Sequence, residues 1–549
     1  MFVGQKTSVQ FLAIFCALVW GVPQAGAGKP RYNLTTSAMC DGVPGDCGYV
    51  APSGGIFSKN NFVEVTATPD YGWEFHHWEE NLSGIDNPTN YRFDDFNYNV
   101  HFTAVFVTDA TPGGPDDPPP PPPPPEEERV DARIIAYFPE WGVYQQPYYV
   151  SSMIPSGAAQ RITHLNYAFG VPGRDPVTGE ITCQLDDPYA AYQQAYDETN
   201  SFDGSIDGGS QALRGHFNQL KQLKTAYPDL KVLVSLGGWL GSVFFSDAAL
   251  TAQSRATFVS SCIDLFIMGD LPEAGGAGGV GAAAGIFDGI DIDWEYPVAG
   301  GAKGTHHNKD DAGNLSLLFQ EFRDQFDGLP TGDGLDLLLT MAGPASDYRG
   351  QNYNIGQDQA ILDYVQIMTY DFHGSWERKT GHLTNPCTSI LDPASETWRL
   401  SLDQSVKLYR DQYGVPSAKI VPGAAFYGRG WKRVKEGAND GLYGRAGGAA
   451  SGVYEDGYDY FRDLPLSDPG FTEHWDDLAQ AAWLYSPTSQ IFWTYDNPQS
   501  LALKADYVRF FNLGGLMFWE VSGDDDDGTL IKAIDDALQS TEDPVNPCP

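Results

Sequence analysis

Asp288-Gly289-Ile290-Asp291-Ile292-Asp293-Trp294-Glu295-Tyr296-Pro297 sets four acidic residues within eight positions. Ile286, Phe287, Ile290 and Ile292 are apolar and mostly β-branched, which predicts a buried strand over 286–294. Pro297 has no N–H to give to a ladder, so the strand ends near it. Side chains alternate faces along a strand, so Asp291, Asp293 and Glu295 project in one row and Asp288 points the other way. Three carboxylates on one face of a buried strand are costly when all are charged. Shared protons relieve that cost and raise the pKa. A carboxyl with a raised pKa is what a general acid requires. A calcium loop of the EF-hand kind needs Asp-x-Asp-x-Asp-Gly with a later Glu, and that form is absent from this stretch. A solvated acidic edge would not interleave Phe287, Ile290, Ile292 and Trp294. The row therefore points to an active site.

Outward from this strand, short apolar runs recur at 132–138, 162–169, 230–236, 336–342, 363–369, 418–425 and 515–520. Several are continuous Ile/Val/Leu runs, as parallel strands covered on both faces require. Helical patterns lie between them at 211–226, 251–268, 314–327 and 401–413. This alternation predicts an α/β fold, a (β/α)8 TIM barrel over 130–536 with its active site at the carboxyl ends of the strands. Glu295 falls at the end of the fourth strand, as that fold demands. The interval 430–490 is too long for one crossover helix and holds Tyr443, Tyr454, Tyr458, Tyr460 and Trp483. It is read as a small inserted α+β lobe between the seventh and eighth strands. Residues 537–549 are a C-terminal tail, and the acidic run from Asp524 to Asp527 is read as a solvated surface turn.

The chain of 549 residues carries a formal net charge of −39, with 42% hydrophobic and 13% aromatic residues, enough for a real core. Such an acidic balance disfavours nucleic acid and anionic membranes as partners and suits an exported protein with a neutral substrate. Residues 1–27 read as a secretory signal: Lys6 in the leading region, an apolar stretch over 11–22 too short to span a bilayer, and Ala25-Gly26-Ala27 as the cleavage site. Cys16 lies in that apolar stretch, which leaves Cys40, Cys47, Cys183, Cys262, Cys387 and Cys548. Cys40 and Cys47 are expected to pair as a local loop, and the other pairings stay open. No Cys-x-x-Cys or His-x-x-x-His spacing calls for zinc, and no metal or cofactor is expected. Residues 28–108 form a small β-rich module with strands at 62–68 and 100–106. Its aromatics, among them Trp73, Phe75 and Trp78, either fill its core or grip sugar rings. Residues 109–129 are a proline-rich linker of polyproline II character.

The acidic decamer resembles, without departure, the signature Asp-x-x-Asp-x-Asp-x-Glu of family 18 glycoside hydrolases, the chitinases. The likeness continues through Ser235-Leu236-Gly237-Gly238-Trp239, Met368-Thr369-Tyr370-Asp371, Phe426-Tyr427-Gly428-Arg429-Gly430-Trp431 and Leu516-Met517-Phe518-Trp519-Glu520. It also includes Ile135-Ala136-Tyr137-Phe138 and Asn166-Tyr167-Ala168-Phe169. In chitinases of the larger subfamily the inserted lobe forms one wall of a deep cleft. The resemblance implies Glu295 as acid and base, Asp293 as stabiliser of an oxazolinium ion, Asp291 as its proton-sharing neighbour and Tyr370 as holder of the acetamide carbonyl. Substrate contacts are implied for Tyr137, Phe169, Ser235, Gly237, Gly238, Trp239, Tyr296, Met368, Asp371, Arg429 and Trp519. Trp376 and Trp431 are expected to join the sugar-stacking aromatics. Catalysis would be substrate-assisted and retaining, on chitin and chito-oligosaccharides, by a secreted, extracellular monomer. An endo-β-N-acetylglucosaminidase and a non-catalytic chitin-binding lectin are the alternatives; such lectins typically lack the acid, which is present here. The first module resembles the internalin B-repeat of bacterial surfaces, which adds adhesion alone as a further reading.

Overall fold

The computed structural model describes residues 132–548, apart from 145, 330–335, 395–399 and 438, together with the strand segments of 31–108. The signal segment, the linker, Cys16 and Cys47 lie outside the described residues. The chain divides into two compact units, Met1–Pro123 and Pro124–Pro549.

The larger unit is built on eight strands. In chain order they are β1 (Arg133–Pro139), β2 (His164–Arg174), β3 (Lys231–Gly237), β4 (Gly289–Asp293), β5 (Leu338–Pro344), β6 (Tyr364–Met368), β7 (Ile420–Ala425) and β8 (Gly515–Trp519). Each pairs in parallel with the next, and β8 pairs in parallel with β1, so the sheet closes. Each of the eight apolar runs overlaps one of these strands. β2 runs on past its predicted end because Gly170–Arg174 pairs antiparallel with Ile181–Leu185. β4 is shorter than its apolar run, because Asp288 accepts Val232 N–H with its side chain at 2.7 Å and takes Lys224 Nζ at 2.7 Å.

Parity decides what each face of β4 meets. Ile290 and Ile292 are buried in the layer between strands and helices, with Phe258, Phe319 and Phe322. Asp291 and Asp293 face the barrel interior, and the register sets Asp291 between Ser235 on β3 and Thr340 on β5. The outer helices include Gly215–Ala226, Ala252–Cys262, Asp311–Asp327, Pro498–Phe510 and Thr529–Leu538. Disulfides join Cys183 to Cys262 and Cys387 to Cys548. Cys40 is also disulfide-bonded.

Between β7 and β8, the strands Tyr427–Lys432, Tyr458–Tyr460, Thr472–Asp476, Ala481–Ser486 and Ile491–Tyr495 form one antiparallel sheet. It starts and ends outside the interval 430–490, and among its described residues the helical element is the single turn Phe461–Asp463. Trp431, expected among the sugar-stacking aromatics, is instead fully buried with Val434, Leu442, Trp483, Tyr485 and Phe492. It packs into the lobe's own core, where its indole N–H reaches Glu377 O at 3.3 Å. The acidic run also departs from expectation at Asp524, which is buried and accepts the N–H groups of Leu530 (3.0 Å) and Ile531 (2.9 Å). It satisfies orphan donors at the start of the helix Thr529–Leu538.

The smaller unit has one sheet of Arg31–Cys40, Val43–Pro44, Gly54–Ser58, Trp73–Glu80 and Asn99–Thr108. A second sheet holds Gly48–Ala51, Phe62–Pro69 and Thr89–Arg92. Val50, Val65, Ala67, Trp78, Phe102, Ala104 and Phe106 are its core, with Phe75 partly buried against them. Trp78 therefore packs inward and offers no ring to a sugar.

Candidate active site

Asp291 is fully buried inside the barrel and saturated with donors. Its Oδ2 accepts the hydroxyls of Tyr137 on β1 (2.9 Å) and Ser235 on β3 (2.8 Å). Its Oδ1 accepts the hydroxyl of Thr340 on β5 (2.6 Å) and the amide of Gln366 on β6 (2.9 Å). Asn166 on β2 steadies that amide by donating to Gln366 Oε1 at 3.1 Å. Burial raises the Asp291 pKa, and the four donors pull against it.

Asp293 stands one step nearer the mouth, buried, with no protein partner for Oδ1 among the described residues. Its pKa is pushed well above the usual carboxylate range, by burial first and then by the charges of Glu295 and Asp291. Glu295 follows, half-buried, its pKa pushed up to about 7 by burial. A hydrogen bond from Tyr296 opposes that rise and the charge of Asp371 adds to it. The three acids thus form a file from a saturated, closed end to an open one. Burial makes the outermost hold its proton to higher pH than a free glutamate does.

Two glycines let the chain reach this packing. Gly237 (φ 110°) lies so close to β4 that a Cβ would come within 2.3 Å of Asp293 O. A Cβ on Gly238 (φ 72°) would come within 2.6 Å of the Phe169 ring. Both backbones occupy the region that favours glycine.

The floor beside the acids is aromatic. Phe169 and Trp519 stack with ring centroids 5.7 Å apart, and Tyr137 and Trp141 pack against Trp519 at 5.5 and 6.1 Å. Tyr370 and Met368 are partly buried on the inner cluster with Trp519. Burial raises the Tyr370 pKa well above its ordinary value, followed by the charges of Asp293 and Glu295, so it stays protonated, and its hydroxyl lies 3.9 Å from Met517 Sδ. Asp371 is held by Tyr427 Oη (2.9 Å) and by both Nε (2.8 Å) and Nη2 (2.6 Å) of Arg429. Arg429 also lies over Trp376, 5.2 Å from its centroid. Trp239 and Trp376 are 53% and 58% exposed, ready to present a flat apolar face. Tyr296 is half-buried beneath the guanidinium of Arg349, 5.2 Å away.

Of the residues expected at the site, Tyr137 and Ser235 bond to Asp291, Arg429 pairs with Asp371, and Phe169 stacks on Trp519, whereas Trp431 lies in the core of the lobe. Reasoning from sequence missed Thr340, Gln366, Asn166 and Ser242. The first three are polar residues inside otherwise apolar strand runs, and that contrast was a readable signal. Ser242 carried none.

Residues 133–524 match the profile of glycosyl hydrolases family 18, and residues 39–110 match the divergent InlB B-repeat domain. This chain belongs to family 18 of the glycosyl hydrolases. It is 34% identical over 427 residues to chitinase A1 of Niallia circulans, an alignment covering 71% of this chain and 56% of that relative. It is 32% identical over 549 residues to chitinase C of Streptomyces lividans, covering 94% of this chain and 80% of that one. Among solved structures it resembles the catalytic domain of a psychrophilic chitinase B from Arthrobacter TAD20, with a TM-score of 0.69 and 36% identity. That match spans 76% of this chain and 97% of the other.

Proposed function

We propose that this protein is a secreted chitinase that hydrolyses β-1,4-linked N-acetylglucosamine with retention, using the substrate's own acetamide as nucleophile. The observation that carries the reading is Glu295: an accessible carboxyl with a pKa of about 7, beside a buried carboxyl that has a free oxygen. Glu295 protonates the glycosidic oxygen, and the acetamide carbonyl oxygen attacks the anomeric carbon from the opposite face. Asp293 turns its unpartnered oxygen to the acetamide N–H and offsets the charge of the oxazolinium ring. Asp291, already holding four donors, accepts no further work beyond keeping the Asp293 charge tuned; the neighbouring acids titrate together. Tyr370 donates to the acetamide oxygen, and Trp519 supports the apolar face of the sugar. Glu295, now ionised, takes a proton from the water that opens the ring. The names of the three relatives reported above, each a chitinase, support the same substrate class.

The test is N-acetylglucosamine hexamer against its fully deacetylated counterpart, followed by NMR of the nascent reducing end. Cleavage of the acetylated hexamer alone, with the β-anomer formed first, is the expected result. Efficient cleavage of the deacetylated chain removes the acetamide from the mechanism. The same assay with EDTA is expected to give the same rate.

A further inference from the structure

The hydroxyl of Ser242 is fully buried at the seam between the exits of β3 and β4. Its oxygen accepts the backbone N–H of Glu295 at 2.9 Å. The same Oγ lies 2.8 Å from Gly238 O and 3.1 Å from Asp293 O, the two carbonyls to which it donates. One side chain therefore holds the backbone of the acid, the carbonyl of the neighbouring acid and the glycine turn that follows β3. On the other side of the same residue, the chain returns so closely that a Cβ on Gly301 (φ 77°) would stand 2.1 Å from Glu295 O.

The returning loop is closed by a second buried group. Asp311 Oδ2 accepts the N–H groups of Val298 (3.1 Å) and Asn308 (2.7 Å), and its Oδ1 accepts Ser246 Oγ (2.8 Å). Arg349 adds a bond to Ala299 O at 2.9 Å. Both serines come from the short stretch after β3, so that stretch braces the loop at its two ends.

We propose that Ser242 is a positioning residue for Glu295, fixing the backbone from which the acid is aimed, with Asp311 closing the loop behind it. The proposal rests on the reading of Glu295 as the proton donor. A buried N–H stripped of its acceptor must find another, and the backbone shifts to do so. A misplacement of about 1 Å at a reacting group costs about 10²-fold in rate. Freed from its seat, the carboxyl also turns toward water, which lowers its pKa. The titratable groups facing Glu295 are Asp293, Asp371, Tyr296, Tyr353 and Tyr370; the substitution removes no bond to any of their side chains, its one contact among them being with the backbone carbonyl of Asp293.

The test is Ser242→Ala in the full chain, with Glu295→Gln as control, assayed on soluble chito-oligosaccharides across pH. The expected result is kcat lower by about 10²-fold, KM within about twofold, and an alkaline limb of the kcat profile moved to lower pH. Ser242→Thr, which keeps the hydroxyl, is expected to recover most of kcat. An alanine variant whose alkaline limb and kcat match the parent overturns the proposal, and so does a kcat loss with the limb unmoved. Should the alanine variant fail to fold, Ser242→Cys, similar in volume but a weak acceptor, is held to the same two readouts. Retained turnover in Glu295→Gln instead removes the underlying reading of the acid, a different failure.

Discussion

Two regions of the barrel bury carboxylates and treat them in opposite ways. Behind β7, Asp496 is fully buried and has a cation: Lys504 Nζ lies 2.6 Å from its Oδ2. Ala425 N–H (3.0 Å) and Ser500 Oγ (2.7 Å) complete its shell, and Lys504 also reaches Thr384 Oγ1 at 2.5 Å. At the mouth of β4, no cation among the described residues bonds to Asp291 or Asp293; hydroxyls and an amide serve Asp291, and Asp293 Oδ1 has no partner among those residues. The fold can neutralise a buried carboxylate with lysine, and does so where the group only joins a helix to a sheet. At the mouth it uses protons. A proton held by burial and by like charge can be given away and recovered within one reaction cycle, whereas a lysine at 2.6 Å would pin the carboxylate in its charged form.

The most severe break in this contrast is Glu295→Gln. It removes the transferable proton while keeping shape, and turnover of soluble oligomers should fall by about 10²–10⁴-fold with binding, read by tryptophan fluorescence, preserved. Turnover close to the parent's would put the acid elsewhere. Next in size is Lys504→Met, which leaves Asp496 buried and unpaired. Unfolding free energy, from urea titration, should drop by about 3–5 kcal/mol, while the pH profile of the remaining folded enzyme stays where it was. A shifted profile would mean the two regions are not independent.

The pH dependence sharpens the comparison further. As the proposed proton donor Glu295 must hold its proton to act, so kcat is expected to decline as pH rises through about 7. The sign for stability agrees. The folded pKa of about 7 exceeds the ordinary 4.5, so the fold binds this proton more tightly than the unfolded chain does. That contribution is complete below pH 4.5 and is lost as pH passes through 7. Melting temperatures recorded across that window should therefore slope downward in the parent and less steeply in Glu295→Gln. Equal slopes would show that Glu295 sits in water rather than in the low-dielectric mouth.

Much of this was legible in the residues. The period-two row on β4 placed Asp291, Asp293 and Glu295 on one face and Asp288 on the other, because side-chain alternation in a strand is local geometry. The eight apolar runs marked the barrel because parallel strands covered on both sides must be apolar throughout. Trp431 shows the limit. It shares strand parity with Arg429, which was expected at the site, so alternation could not tell the two apart, and the partners that bury it come from 434 to 492. Asp524 shows it again: the helix whose donors it caps begins five residues on, and burial there depends on what packs over it. The cysteine pairs 183–262 and 387–548 span separations of 79 and 161 residues, which no spacing rule could have chosen.

From its sequence alone, then, this chain declares its architecture and the order of its acids, since both follow from periodicity and short-range pattern, and its motifs carry the resemblance to its family. Tertiary structure decided which acid is saturated and which is free. The four donors to Asp291 come from β1, β3, β5 and β6, and the hydroxyl under Glu295 comes from the turn after β3. Proton affinity depends on the full shell around a carboxyl, and that shell exists only once distant strands have closed into a barrel.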